Sequence, residues 1–244
     1  MHSMSRIVPD WPAPSRVHAL ITTRLGGVSL GPYAGFNLGL GVGDDPGAVA
    51  ANRAILRRSL PAEPLWLRQV HGVTVVDAAT AAPLTSADAS FARRAGVVCA
   101  VQVADCLPVL LCDRGGTVVA AAHAGWRGLC RGVIEQTVAT MRAKAGDVVA
   151  FLGPAIGPGS FEVGPEVRAA FVERDPRAGE CFAPGTGDRC FADLYSLARQ
   201  RLSALGVTEI HGGGYCTLRD PERFFSYRRD GVTGRMAALI WLAD

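Results

Sequence analysis

The chain has 244 residues, 49% of them apolar, and a formal charge of +3: enough apolar surface for a sizeable core, and too little charge excess to mark a nucleic-acid binder. Lys144 is the sole lysine among 25 cationic residues, and no Lys/Arg-rich run or basic stripe accompanies the arginines. Seven cysteines, at 99, 106, 112, 130, 181, 190 and 216, form no CxxC pair, which argues against a disulfide framework and for the reducing cytoplasm; no stretch is long and apolar enough to span a membrane, and "MHSMSRIVPDWP" lacks the apolar core of a signal peptide.

In chain order, residues 1–15 read as an irregular segment whose "MHS" looks like an appended tag ahead of Met4. "VHALITTR" reads as a strand and "GVGDDPGAVAANRAILRRSL" as a loop entering a helix. Asp44 or Asp45 caps that helix, Pro46 suits its first turn, and Val49, Arg53, Leu56 and Leu60 share a face. "PLWLRQVHG", "VTVVDA", "GVVCAVQVAD", "PVLLCD" and "TVVAAAH" follow as strands, with "RGG" after Asp113 as a hairpin turn.

A helix from about 129 to 145 presents Val133, Ile134, Thr137, Val138 and Met141 on one face and stops at Gly146. "VVAFLGPAIG" is a buried strand running into a Gly/Pro loop, "GPEVRAAFVER" a short helix, and "DLYSLARQRLSALG" a helix capped by Asp193 and ended by Gly206. Strand "TEIHGGG", loop "CTLRDPERFFSYRRDG" and strand "RMAALIWL" close the chain. Hairpins mixed with crossovers, and no linker or repeat, predict one α/β domain over 1–244, a layered sandwich with a mixed β-sheet.

Three borderline metal ligands stand at strand ends beside glycines or turns: His71 before Gly72, Cys106 after Asp105, and His123 before Gly125. Separations of 35 and 17 residues are too long for a local knuckle, so only the fold could assemble them. The competing reading is a buried cysteine and two structural histidines. The flanking glycines, and the fact that two of only five histidines lie in the first eighteen residues, favour the metal. Two imidazoles and a thiolate would leave zinc a fourth, open position, as in catalytic sites. Asp105 could orient a ligand imidazole or serve as acid/base, its alternative being a strand-end turn residue.

The motifs "TTRLGGVSLGPYAGFNLGLGVGDDPGAVAANR", "LRQVHG", "ADCLPV", "HAGWRG", "GPAIGPGSFEVGPEV" and "FFSYRRDGVTGRMAALIWL" together resemble the YfiH-type family, also called laccase-domain or multicopper polyphenol oxidase-like. The resemblance runs from about residue 20 to the C-terminus. It implies a single-domain α/β fold and zinc at His71, Cys106 and His123. It also implies phosphorolysis of adenosine, inosine and S-methyl-5'-thioadenosine, with adenosine deamination as an additional activity. Ala104 replaces the family's more usual Thr before Asp-Cys, which removes a hydroxyl and leaves the three ligands.

Phosphorolysis of an N-glycosidic bond needs an anion cradle and polar contacts to ribose and base. Arg24, Arg127 and Arg228 are candidates for the first through their bidentate forks, the competing reading being ordinary surface arginine. Asn37, Gln69 and Ser226 are candidates for the second, and Phe36, Phe225 or Tyr227 for stacking on a purine. Neither "GVGDDP" nor "GPAIGPG" follows a nucleoside-triphosphate or dinucleotide pattern, and the H-x-E and P-C-x-x-C signature of nucleobase deaminases is missing.

Five histidines are too few for the four coppers of a laccase, although one copper could take the place of zinc in the His/Cys/His site. A second class treats Cys106 as a nucleophile activated by His123, a cysteine hydrolase or amidase; editing of peptidoglycan precursors would call for a cysteine- or zinc-dependent amidase. A third is a non-catalytic purine or metal sensor. The leading expectation is a cytoplasmic zinc enzyme, monomeric or weakly dimeric, whose partners are purine nucleosides and phosphate, with no nucleic acid and no membrane.

Overall fold

The computed structural model describes residues 4–244; the "MHS" segment, with His2, lies outside the described residues. Strands β1 (Arg6–Ile7) and β2 (Val17–Thr22) precede helix α1 (Pro46–Arg57). Next come β3 (Val75–Asp77), β4 (Ala89–Ala92), β5 (Val98–Val103), β6 (Leu107–Asp113), β7 (Val119–Ala124), α2 (Trp126–Arg131), α3 (Val133–Met141) and β8 (Val148–Leu152). The last third holds β9 (Glu162–Val163), α4 (Pro165–Arg174), β10 (Phe182–Pro184), β11 (Cys190–Ala192), α5 (Leu194–Ala204), β12 (Glu209–Gly212), α6 (Tyr227–Asp230) and β13 (Met236–Leu242).

A six-stranded sheet has the order β12-β8-β6-β7-β4-β3, a four-stranded sheet the order β1-β2-β13-β5, and a small sheet the order β10-β11-β9. The pairs β12/β8 and β3/β4 are parallel and the β6/β7 hairpin is antiparallel, so the main sheet is mixed. Alternation along β6 defines the layers. Leu107, Val109 and Leu111 pack with Ile134 and Met141 of α3 and Leu197 and Leu202 of α5. Leu110 and Cys112 pack against Ile21, Val101 and Ile240 of the second sheet. That sheet's outer face, Leu20, Ala100 and Leu239, is covered by Leu56 of α1 with Phe36, Leu38 and Trp66. Strands buried on both faces read as continuous apolar runs, which is why β5 to β8 show no polar alternation.

Local signals account for most helix ends. The Asp45 carboxylate accepts from the N–H groups of Gly47 and Ala48, and Asp193 from those of Tyr195 and Ser196. The helix expected over 129–145 is instead two: α2 starts at Trp126, Gly132 at φ 102° breaks the chain, and α3 ends at Arg142 with φ 49°. Gly132 lets the chain take a left-handed conformation that side chains disfavour. "PLWLRQVHG" is not a strand. It touches its neighbours through single bridges, Leu65 to Cys99 and Arg68 to Ser86, because the Val70 N–H bonds the Asp88 carboxylate and not a ladder.

Residues 4–15, the described part of the segment expected to be irregular, contain one short strand, β1, paired with β2. Strands β4, β9, β10 and β11 escape a pattern-based reading because they are two to four residues long. Leu110 is fully buried between the two sheets. Leu110→Ala is expected to lower unfolding free energy by about 2–5 kcal/mol in denaturant titration.

Candidate metal centre and active-site cleft

Cys106 lies one residue before β6, and the hairpin register pairs Leu107 with Ala124 and Pro108 with His123. Continuing that register sets Cys106 opposite Gly125, beside His123. The "RGG" turn closes the other end, with Gly116 at φ 62°. His71 comes from the loop before β3, at φ 58°.

Asp88, fully buried ahead of β4, brings the third ligand in. Its carboxylate accepts from the backbone N–H groups of Val70 at 3.2 Å, His71 at 2.8 Å and Gly72 at 2.7 Å. It also lies 2.9 Å from Nδ1 of His123, and its carbonyl accepts from the His123 N–H at 2.7 Å. Burial works against charge on Asp88, but the bonds from His123, Gly72 and Val70 outweigh it and hold the carboxyl below its ordinary pKa. With Nδ1 engaged, His123 keeps Nε2 for another partner.

One ligand atom each of His71, Cys106 and His123 lie within 4.8 Å of one another. His71 Nε2 is 3.8 Å from Cys106 Sγ, and the two imidazole rings meet edge-on with centroids 4.8 Å apart. Burial opposes a charged Cys106, but His123 and His71 beside it hold the thiol below its usual value. Burial likewise opposes a charged His123, but Cys106 and Asp88 raise its pKa. Cys99 and Cys112, without such neighbours, are pushed up by burial to about 12. Two imidazoles and a readily formed thiolate, one imidazole braced by a carboxylate, are a donor set that fits zinc or copper.

The glycines of "HAGWRG" are spacing requirements. A Cβ on Gly125 would lie 2.7 Å from Cδ2 of His71 and 3.0 Å from Cys106 Sγ, and one on Gly128 would lie 2.9 Å from the Gly72 carbonyl. A cleft of about 680 Å³ contains the three ligands together with Gln69, Gln102, Trp126, Arg127, Tyr227, Arg228 and Arg235.

Of the residues expected at the site, Gln69, Arg127 and Arg228 line this cleft, as does Tyr227. Gln69 is pinned: its Nε2 donates to the Gln102 carbonyl at 2.8 Å and its Oε1 accepts from the Gln102 N–H at 2.7 Å. Arg127 lies over the Trp126 ring at 4.5 Å. Arg228 donates to the Glu162 carbonyl at 2.7 Å and lies over Phe161. The other expected contacts sit outside the cleft. Arg24 donates to the carbonyls of Pro221 and Ala34 and stacks on Phe225. Asn37 is fully buried, bonded to Gly39, Asp44 and Arg235. Ser226 caps α6 by accepting from the Arg229 N–H. Phe36 and Phe225 are core residues.

Asp105 touches neither imidazole. Its carboxylate accepts from Thr217 Oγ1 at 2.6 Å and from the Arg228 N–H at 2.7 Å, and the imidazole-orienting task falls to Asp88. Nothing local marks Asp88 in "SADAS", since its role depends on three separate segments meeting. Arg235 was within reach: it stands immediately before the last strand, inside the same motif as Arg228.

Asp88→Asn keeps the shape but loses an acceptor and the charge that braces His123. Metal affinity, measured by competition with a chromophoric chelator, is expected to fall about 10–100-fold.

The family described as "Multi-copper polyphenol oxidoreductase laccase" matches residues 18–243. The chain is 55% identical over 239 residues to a protein of Pseudomonas aeruginosa named purine nucleoside phosphorylase, covering 98% of each. It is also 55% identical over 240 residues to purine nucleoside phosphorylase YfiH of Escherichia coli, covering 97% of this chain and 98% of that one. Among solved structures, a Neisseria meningitidis protein superimposes with TM-score 0.95 at 51% identity, covering 98% of this chain and 99% of that one. YlmD from Geobacillus stearothermophilus does so with TM-score 0.89 at 30% identity, over 100% of both chains. With the family match, the sequence identities and the fold in agreement, the chain belongs to this laccase-like, YfiH-type family.

Proposed function

We propose that the protein is a zinc-dependent purine nucleoside phosphorylase that converts adenosine, inosine and S-methyl-5'-thioadenosine, with phosphate, to free base and pentose 1-phosphate. The observation that carries this reading is one cleft that joins the His71–Cys106–His123 cluster to three arginines, Arg127, Arg228 and Arg235, and two aromatic side chains, Trp126 and Tyr227. The names of its relatives point the same way.

The reaction develops positive charge on the ribose and negative charge on the departing purine. Arg127, Arg228 and Arg235 hold the phosphate dianion through charge-assisted hydrogen bonds. Trp126 and Tyr227 offer flat faces to the purine, and Gln69, immobilised by Gln102, presents a rigid polar wall to the sugar. His71, Cys106 and His123 hold the metal, with Asp88 keeping His123 in register. Zinc, when bound, supplies Lewis-acid charge at this end of the cleft. Adenosine deamination is a side activity of the same cleft.

The oxidase implied by the family's description finds little support in the donors. His18 stacks on Trp241 and His211 faces Glu209, so among the described residues two histidines serve the cleft. A single copper is the alternative metal, and elemental analysis after growth without added copper separates the two. A cysteine amidase is the second reading, favoured by the lowered Cys106 thiol beside a readily protonated His123. It requires activity that survives chelation and is lost on thiol alkylation. Seven free cysteines suit the reducing cytoplasm. No helix among the described residues is long and apolar enough to cross a membrane. The working form is a monomer or weak homodimer, with no nucleic-acid partner.

Zinc-loaded protein incubated with adenosine and phosphate should release adenine, followed chromatographically with hypoxanthine and inosine; no phosphate-dependent base release would overturn the phosphorylase reading. Cys106→Ser should lose both zinc and turnover, whereas Cys99→Ser and Cys112→Ser, in the inter-sheet core, should retain both.

A further inference from the structure

Asp105 has a backbone φ of 93°, a region that non-glycine residues occupy only where surrounding contacts over-determine it. Those contacts come from three separate segments. The Ile156 N–H donates to the Asp105 carbonyl at 2.9 Å. The Thr217 hydroxyl donates to Oδ1 at 2.6 Å, and the Arg228 N–H donates to Oδ2 at 2.7 Å. Both carboxylate oxygens are therefore engaged, on a side chain that is nearly buried. The adjoining residue is the candidate ligand Cys106, and the residue held at the other end, Arg228, lines the same cleft.

That guanidinium is fixed separately, by the Glu162 carbonyl at 2.7 Å and the Phe161 ring at 5.0 Å. Arg228 is thus anchored at its backbone by Asp105 and at its tip by Glu162. Thr217, fully buried, lies outside the cleft, and its own carbonyl accepts from Arg229 at 2.9 Å.

We infer that Asp105 is a positioning residue: through its two hydrogen bonds it sets Arg228, and with it the anion-binding wall of the cleft, at a fixed place relative to Cys106, and it takes no part in proton transfer. The inference rests on the phosphorylase reading for the identity of the anion as phosphate. A neighbour-held arginine binds an anion without reorganising, so loosening the clamp weakens phosphate binding and leaves the metal in place.

The test uses the full metal-loaded chain with Asp105→Asn, Thr217→Val and Thr217→Ser. In Asp105→Asn and Thr217→Val, both the KM for phosphate and the Kd for inorganic phosphate without nucleoside should rise about ten- to hundredfold, with kcat at saturating phosphate within about threefold of wild type. The KM for nucleoside and the bound metal should stay unchanged, and Thr217→Ser, which keeps the hydroxyl, should restore phosphate affinity. Loss of kcat at saturating phosphate in Asp105→Asn with a normal Thr217→Val would mean proton transfer and overturn the inference. So would unchanged phosphate affinity in both variants. If Asp105→Asn does not fold, the Thr217→Val and Thr217→Ser pair decides. Wild type that binds phosphate, with weakened variants, yet releases no base would refute the phosphorylase reading alone; turnover in wild type with unmoved variants would refute the positioning role alone. Wild type that binds no phosphate refutes both.

Discussion

A single buried carboxylate, that of Asp88, ties the ligand loop to the sheet. Three consecutive backbone N–H groups at 70–72 and one imidazole nitrogen converge on it, so it determines both where His71 stands and which nitrogen His123 offers. A charge with no exposed surface is costly to bury, and it persists here because charge-assisted hydrogen bonds surround it. Were it removed, the loop would keep three donors without an acceptor, at about 1–3 kcal/mol for each buried donor left unsatisfied. The loop therefore has no comparably good alternative arrangement. This explains why "LRQVHG" forms no strand although its composition suits one: its hydrogen bonds are directed to a carboxylate and not to a neighbouring ladder.

The layers around that node play complementary roles. The β6/β7 hairpin places Cys106 and His123 side by side by register alone, and a register slip is penalised because both faces of the hairpin are buried in different cores. A rigid double-sided hairpin thus supplies two of the three candidate ligands, and a loop, held by one acid, supplies the third. Among the described residues, two of the four non-glycine positions with positive φ, His71 and Asp105, are in or beside the candidate ligand cluster, where strained backbone tends to collect.

The arginines divide by location, and location decides their chemistry. Arg24 and Arg53 spend their guanidinium donors on backbone carbonyls and aromatic faces away from the cleft, acting as structural struts. Arg127, Arg228 and Arg235 also stack on rings or bond backbone carbonyls, but they line the cleft that contains the candidate ligands. Their joint presence gives the site positive charge without any Lys/Arg-rich run in the chain, which is why the small overall charge is no guide to the local field.

Much was legible from the chain alone. Continuous apolar runs marked the doubly buried strands, Asp44 or Asp45 and Asp193 marked helix starts, and the glycines flanking His71 and His123 marked places of close backbone approach. Those signals are local, carried by periodicity, capping chemistry and the missing Cβ, and so they survive in one dimension. The joining of separated segments was not legible: Asp88 reaching back to 70–72, Asp105 reaching forward to Thr217 and Arg228, and Arg24 and Asn37 standing outside the cleft that Arg127 and Arg228 line. A carboxylate's partner is whichever donor the packed layers bring within about 3 Å, and that is decided when the two sheets and the helices close on one another, across separations of more than a hundred residues in the case of Asp105.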